Sequence, residues 1–343
     1  MSMRAFITGN AGFLGSHITD RLLADGHDVV GFDNFSTGQS RFLLSAGEHS
    51  RFRQIRGDLL DQEALTAAMR DCDFVFHLAA NADVRFGTAH PRRDLEQNTL
   101  ATHNVLEAMR ACGIRRIAFT STGSVYGEAR LLPTPEDAPF PVQTSLYGAS
   151  KLACEGLIAA YCEGFGFRSW IFRCVSILGE RYSHGHVYDF CRQLTEHPDR
   201  LQVLGDGRQR KSYLYVEDCV EAMVLAIAAA GEPVNILNVG TDAYCELGDS
   251  IRWICSALEL SPQVIYGGGD RGWSGDNPFI WLDTRRLHAL GWRPTLTIEQ
   301  AVRRTAAYLS DHRWLLDARP GLARFAQADA APGSYPDRRV HSS

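Results

Sequence analysis

The chain has 343 residues, 45% hydrophobic and 22% charged, with a formal net charge of −5, which suits a soluble globular protein with a large core in two domains or subdomains. The acidic balance gives no electrostatic reason to expect nucleic acid or membrane partners, and the longest apolar run, 222–230, is far too short to span a bilayer. Nine cysteines with no Cys-x-x-Cys pair predict reduced thiols and a cytoplasmic location, and no metal site is expected.

In chain order, short apolar runs predict strands at 5–8, 29–32, 52–55, 74–77, 117–120 and 169–173. Helical patterns fall between them at 12–24, 61–70, 92–111 and 145–162. This alternation predicts a parallel sheet with helices on both faces. Gly26 and Gly113 stand where helix C-caps belong. Beyond about residue 179 the pattern loosens, with helices expected at 187–196, 216–230, 245–258 and 298–310. The chain divides into a nucleotide-binding domain over 1–178 and a smaller α/β subdomain over 179–318, some of whose segments can return to the first sheet. Residues 319–343, rich in Ala, Pro, Gly and Ser, read as a flexible tail.

The first strand runs into Thr8-Gly9-Asn10-Ala11-Gly12-Phe13-Leu14-Gly15. Glycines at 9, 12 and 15, between a strand and a helix, let a pyrophosphate approach the helix N-terminus. Asp33 closes the second strand, where a carboxylate accepts from ribose hydroxyls and repels a 2′-phosphate; this favours NAD over NADP. Asp58, after the third strand, is placed to accept from the adenine amine or simply to form a turn. Of 35 Lys and Arg residues only Lys151 and Lys211 are lysine. Lys151 follows Tyr147 by four. Such a pair fits any exposed helix face, but an ammonium beside a phenol also lowers its pKa and makes it a base.

These motifs, with His77-Leu78-Ala79-Ala80, Asn98-Thr99, Ser121-Thr122-Gly123-Ser124-Val125-Tyr126-Gly127 and Leu290-Gly291-Trp292, resemble a known family. It is the extended short-chain dehydrogenases/reductases acting on nucleotide sugars, the NAD-dependent epimerase/dehydratase group with its UDP-glucose 4-epimerase-like members. The resemblance covers about 4–292. It implies a Rossmann doubly wound sheet with a C-terminal substrate-binding subdomain, a nucleotide-diphosphate sugar as substrate, and a homodimer formed through helices 92–111 and 145–162.

By this resemblance, Gly9, Gly12, Phe13, Leu14 and Gly15 hold the NAD pyrophosphate. Asp33, Asn34, Ser36, Thr37 and Gly38 hold the adenosine ribose, and Asp58 and Leu59 flank adenine. Leu78, Ala79, Ala80, Asn98, Thr120 and Val175 line the rest of the cofactor. Tyr147 is the base, Lys151 holds the ribose and lowers the phenol pKa, and Thr122 bonds the reacting oxygen.

Substrate matches are looser. Ser124 borders the sugar. Ser176 replaces the Asn expected on the diphosphate. Lys211 stands where arginine is common, either a phosphate partner or an exposed strand-edge lysine. Arg271 is either a diphosphate fork or a solvated loop cation. His186 and Val187 belong to a loop, 180–188, that either holds base and sugar or is solvated. Arg85 faces either the pocket or solvent.

The family diverges after oxidation to a keto sugar. Its dehydratases carry Asp-Glu directly after the catalytic Thr and its uronate decarboxylases a Glu nearby; here Gly123 and Ser124 occupy those positions. A 3,5-epimerase would need a cysteine there. What remains needs no further acid or base: a 4-epimerase that oxidises C4, rotates the keto sugar and reduces its other face. A 2-epimerase, a uronate 4-epimerase, a dehydrogenase and a non-catalytic NAD-binding regulator stay as alternatives.

Overall fold

In the computed structural model, residues 2–81, 87, 90–140, 142–273, 276–277 and 279–317 are described. Seven parallel strands form the main sheet: β1 (Arg4–Thr8), β2 (Asp28–Asp33), β3 (Phe52–Arg56), β4 (Phe74–His77), β5 (Arg116–Thr122), β6 (Arg168–Cys174) and β11 (Val234–Val239). Their order is β11-β6-β5-β4-β1-β2-β3, a doubly wound Rossmann arrangement whose strand order reverses beside β1. Ligands bind outside the strand C-termini at such a reversal.

The strands are apolar on both faces because both faces are covered. Ala5, Ile7, Ala118, Trp170 and Phe172 pack on one side with Ile18 and Leu22 of helix α1 (Phe13–Ala24). Phe6, Ile117, Phe119 and Ile171 pack on the other with Val105, Leu106 and Met109. Those three lie on α3 (Ala101–Cys112), alongside α2 (Gln62–Met69) and α4 (Leu146–Phe165).

After β6 the chain leaves the sheet through β7 (Ser176–Leu178), α5 (His186–Glu196), β8 (Arg200–Val203), β9 (Arg210–Lys211), β10 (Tyr213–Tyr215) and α6 (Val216–Ala229). It then returns as β11, which pairs with β6 from Val234 opposite Ser169 to Val239 opposite Cys174. Cys219, Met223 and Ala226 of α6 join the core of the main sheet. A second body holds β12 (Cys245–Glu246), α7 (Leu247–Ala257), β13 (Gln263–Tyr266), β14 (Phe279–Ile280) and α8 (Ile298–Asp311). Val187, Ile251, Ile254, Val302 and Leu309 form its core.

Three local expectations change. The helix expected over 92–111 is continuous but widens into a π-turn at Leu95–Leu100. The helix expected from Cys245 begins at Leu247, because Cys245 and Glu246 pair with Lys211 and Arg210 as strands. Gly113 is the left-handed C-cap of α3 (φ 73°), whereas α1 is capped by Asp25, with Gly26 (φ 87°) one residue further. Among the described residues no helix is long and apolar enough to cross a membrane. The expected tail and Arg85 lie outside the described residues.

Candidate active site

The glycine turn closes against the loop after β4. Gly9 has φ +72°, and a Cβ there would lie 2.7 Å from the Ala79 backbone. A Cβ on Gly15 would lie 2.1 Å from the Gly9 carbonyl, so only glycine lets α1 sit this close to β1. Gly12 caps α1 with no side-chain hydrogen bond, and the first turn carries no acidic residue. The amides of Phe13 and Leu14 therefore open onto the turn, as an anion site requires.

Asp33 is buried at the end of β2. Its Oδ2 accepts from Ala11 N–H at 3.1 Å and its Oδ1 from Phe35 N–H at 2.7 Å. Burial pushes its carboxyl above the usual range. Gly38 closes over this carboxylate; a Cβ there would meet Ala11 Cβ at 2.8 Å and Asp33 Oδ1 at 2.9 Å. Ser36 and Thr37 are exposed beside it. Asn34 Nδ2 donates to Asp58 Oδ2 at 3.0 Å, so Asp58 both forms its turn and braces Asn34. Leu59 is buried, and its carbonyl accepts from Asn104 at 2.9 Å.

His77 links the turn to α3. Its Nδ1 lies 2.8 Å from Thr8 Oγ1 and its Nε2 2.9 Å from Thr102 Oγ1. Thr102 donates to Cys154 Sγ at 3.2 Å, so it accepts from His77, and we assign the Nε2–H tautomer from this network. Thr8 Oγ1 accepts from the amides of Leu78 and Ala79, which positions the Leu78–Ala80 loop. Burial pushes His77 down to about 3 and keeps the imidazole neutral.

The π-turn serves Asn98. Its Oδ1 accepts from Asn81 N–H at 2.8 Å, and its Nδ2 donates to Ser150 Oγ at 2.9 Å. Ser150 in turn donates to the Tyr147 carbonyl at 2.8 Å. The Asn98 carbonyl accepts from Cys154 Sγ at 3.4 Å. Asn98 thereby ties the cofactor side to helix α4, and π-turns recur at such functional positions.

Helix α4 starts at Ser145, whose hydroxyl caps Gly148 N–H at 3.0 Å. Tyr147 and Lys151 follow on the same face. Thr122 lies beside the Tyr147 phenol, and burial pushes that phenol well above its ordinary value. Lys151 is buried, its Nζ donating to the Thr120 carbonyl at 2.8 Å and lying 4.5 Å from the Phe119 ring centre. In this arrangement burial dominates the phenol, and the ammonium is held by the Thr120 carbonyl. Thr122 Oγ1 donates to Ser124 Oγ at 3.2 Å and accepts from the Ser124 amide at 3.1 Å. The place of a Gly123 side chain is taken by Ile280, whose Cγ2 would lie 3.1 Å from its Cβ, and by Leu282. Val175 is buried with its N–H on the Val239 carbonyl, and Ser176 is exposed at the start of β7.

Both distal cations already have carboxylate partners. Lys211 Nζ lies 2.9 Å from Asp276 Oδ1, with 17% of its side chain exposed; it is no exposed strand-edge lysine. Arg271 Nη2 lies 2.7 Å from Glu128 Oε1 and its Nη1 donates to the Asp276 carbonyl at 3.1 Å, with 38% of the Arg271 side chain exposed. His186 is not solvated either: it packs on Tyr213 and bonds Ser250 Oγ at 2.7 Å, and burial pushes it down to about 3. Val187 is fully buried, so only its backbone at the uncapped start of α5 can face a ligand.

Residues 5–240 match the NAD dependent epimerase/dehydratase family. The chain belongs to that family. It is 32% identical over 320 residues to the UDP-glucose 4-epimerase of Mycolicibacterium smegmatis, covering 89% of this chain and 98% of that one. A crystal structure of a UDP-galactose 4-epimerase superposes with a TM-score of 0.82 at 37% identity, covering 91% of this chain and all of that one. The UDP-glucuronic acid 4-epimerase of Bacillus cereus, solved with UDP-glucuronic acid and NAD, superposes with a TM-score of 0.83 at 26% identity, covering 90% and 100%. The cofactor of this NAD-dependent epimerase/dehydratase protein is NAD. The glycine turn that a Cβ would fill and the uncapped start of α1 fit it.

The sequence left several contacts unread: His77 as a bridge, Asn81 on Asn98, and the pairing of Glu155 with Arg173. Glu155 had one signal, its place four residues beyond Lys151 on the same helix face.

Proposed function

We propose that this protein is a nucleotide-sugar 4-epimerase. The observation that carries the reading is the Thr122–Tyr147–Lys151 constellation, with Gly123 and Ser124 directly after Thr122 and with Ile280 and Leu282 packed against Gly123. NAD, when bound, accepts a hydride from sugar C4 and returns it to either face. Gly9, Gly12, Gly15, Phe13 and Leu14 hold its pyrophosphate by backbone groups, and Asp33, Asn34, Ser36, Thr37 and Gly38 hold its adenosine ribose.

Tyr147 takes the C4 hydroxyl proton and later returns it, with Thr122 orienting the same oxygen. A phenol pushed up by burial needs nearby positive charge to release its proton, and Lys151 is the cation within reach. Lys211, Arg271 and the start of α5 receive the diphosphate, exchanging Asp276 and Glu128 for phosphate oxygens. The nine cysteines, none in a disulfide, fit a reducing compartment, which supports a cytoplasmic location.

Incubation with UDP-, GDP-, ADP-, CDP- and dTDP-sugars, uronates included, without added NAD and read by NMR, tests the assignment. Inversion at C4 is expected; release of NADH with no epimer formed would replace it by a dehydrogenase. Two chains pair through the helices over 92–111 and 145–162, where Leu100 of the π-turn and Leu146 and Phe165 at the two ends of α4 are exposed at 44%, 46% and 46%. Sedimentation as a dimer is expected, and a monomer at micromolar concentration rejects the pairing.

A further inference from the structure

Beneath the catalytic side chains lies a buried ion pair. Arg173 Nη2 is 2.7 Å from Glu155 Oε2, and Nε lies 3.1 and 3.2 Å from the two carboxylate oxygens. Only 2% of the Arg173 side chain and 5% of the Glu155 side chain are exposed. Arg173 Nη1 donates to Tyr126 Oη at 2.7 Å and to the Glu136 carbonyl at 2.9 Å. The Tyr126 and Phe140 rings lie 4.8 and 4.9 Å from its guanidinium. Glu155 also accepts from the Ser121 hydroxyl.

Each partner adjoins a catalytic group. Ser121 precedes Thr122, Tyr126 ends the turn that Thr122 begins, and Glu155 lies one helical turn beyond Lys151. Arg173 precedes Cys174, whose thiol lies near both Tyr147 and Lys151. Stability alone is a poor reason for such a pair, since apolar replacements of similar volume are often neutral or stabilising.

We propose that Glu155 and Arg173 are positioning residues of the reaction, clamping the end of β5, the 122–126 turn, α4 and the end of β6 into one frame and setting the charge that Lys151 meets. The proposal rests on the catalytic roles assigned above. Glu155 and Cys154 face Lys151 from its own helix, Cys174 from β6, neutral His77 from β4, and the Phe119 ring and Thr120 carbonyl from β5. Burial pushes the Lys151 ammonium down; Glu155 is among the groups holding it up.

A chain with two lysines lets this be read directly. Labelling the lysine ε-carbons with 13C gives two signals, assigned with Lys211→Arg. Glu155→Gln keeps the shape and loses the charge; Glu155→Asp keeps the charge on a shorter arm. The Lys151 midpoint is expected to fall by about one pH unit in Glu155→Gln and to stay near wild type in Glu155→Asp, with Lys211 unmoved. In Glu155→Gln, kcat is expected to fall about tenfold or more while KM holds within about twofold. Equal Lys151 shifts in both variants, or none, overturn the proposal.

Should Glu155→Gln fail to fold, the charge-free double variant Glu155→Leu with Arg173→Met replaces it. That variant is expected to melt near wild type with the same loss of kcat, and wild-type kcat in it overturns the proposal. Absence of turnover in the wild-type chain would sink the 4-epimerase reading alone, and the Lys151 titration would still decide this one.

Discussion

Tyr147 is asked to lose a proton in a place that favours keeping it, since burial pushes its phenol up. Tyr147→Phe removes the acceptor without changing the ring. NAD retention is expected to persist while turnover falls about 10²–10⁴-fold, measured as epimer formed per bound NAD; near-normal turnover would refute the assigned base. Lys151→Met tests the other half. Removing the cation raises the phenol further, so the acidic limb of the kcat profile should move to higher pH. An unmoved limb would show that Lys151 does not act on the phenol.

At the scale of elements, the start of α1 decides cofactor binding. In Gly15→Ala the new methyl meets the Gly9 carbonyl, so helix and turn must separate. NAD binding is expected to weaken about tenfold or more, read by fluorescence titration, with a loss of about 1–3 kcal/mol in urea unfolding. Unchanged NAD affinity would show that the turn tolerates the separation.

Six strands of the main sheet, β1 to β6, were legible as short runs with helical patterns between them, whereas β11, which returns only after the long excursion, was not read from the sequence. β9, β12 and β14 were not, because two-residue strands carry no period; Cys245 and Glu246 merely look like the first turn of α7. The π-turn was invisible because Asn81, Ser150 and Cys154, distant in sequence, hold Asn98 in place. Thr122, Tyr147, Lys151 and the NAD residues could be read from local motifs. The settings of Lys211, Arg271 and His186 could not, because Asp276, Glu128 and Ser250 reach them across the fold.

Across the whole molecule, two neutral histidines mark the two cores: His77 beside the main sheet and His186 in the second body. Both are depressed from 6.5 to about 3. Their contribution is complete above the unfolded value of 6.5 and is lost as pH falls toward 3, since the unfolded chain binds protons the native state refuses. Stability is expected to drop by about 1.4 kcal/mol per pH unit for each histidine across that window. Urea midpoints between pH 7 and 4 check it, and a flat profile would mean that both rings accept protons in place. β11 sets a different limit. The excursion that carries the second body ends by supplying an edge strand to the first, so the two halves are not modules that recombination can shuffle. A gene cut after residue 178 would yield a sheet with β6 as a raw, adhesive border, and an exchange of substrate specificity between relatives must keep both crossings of that border.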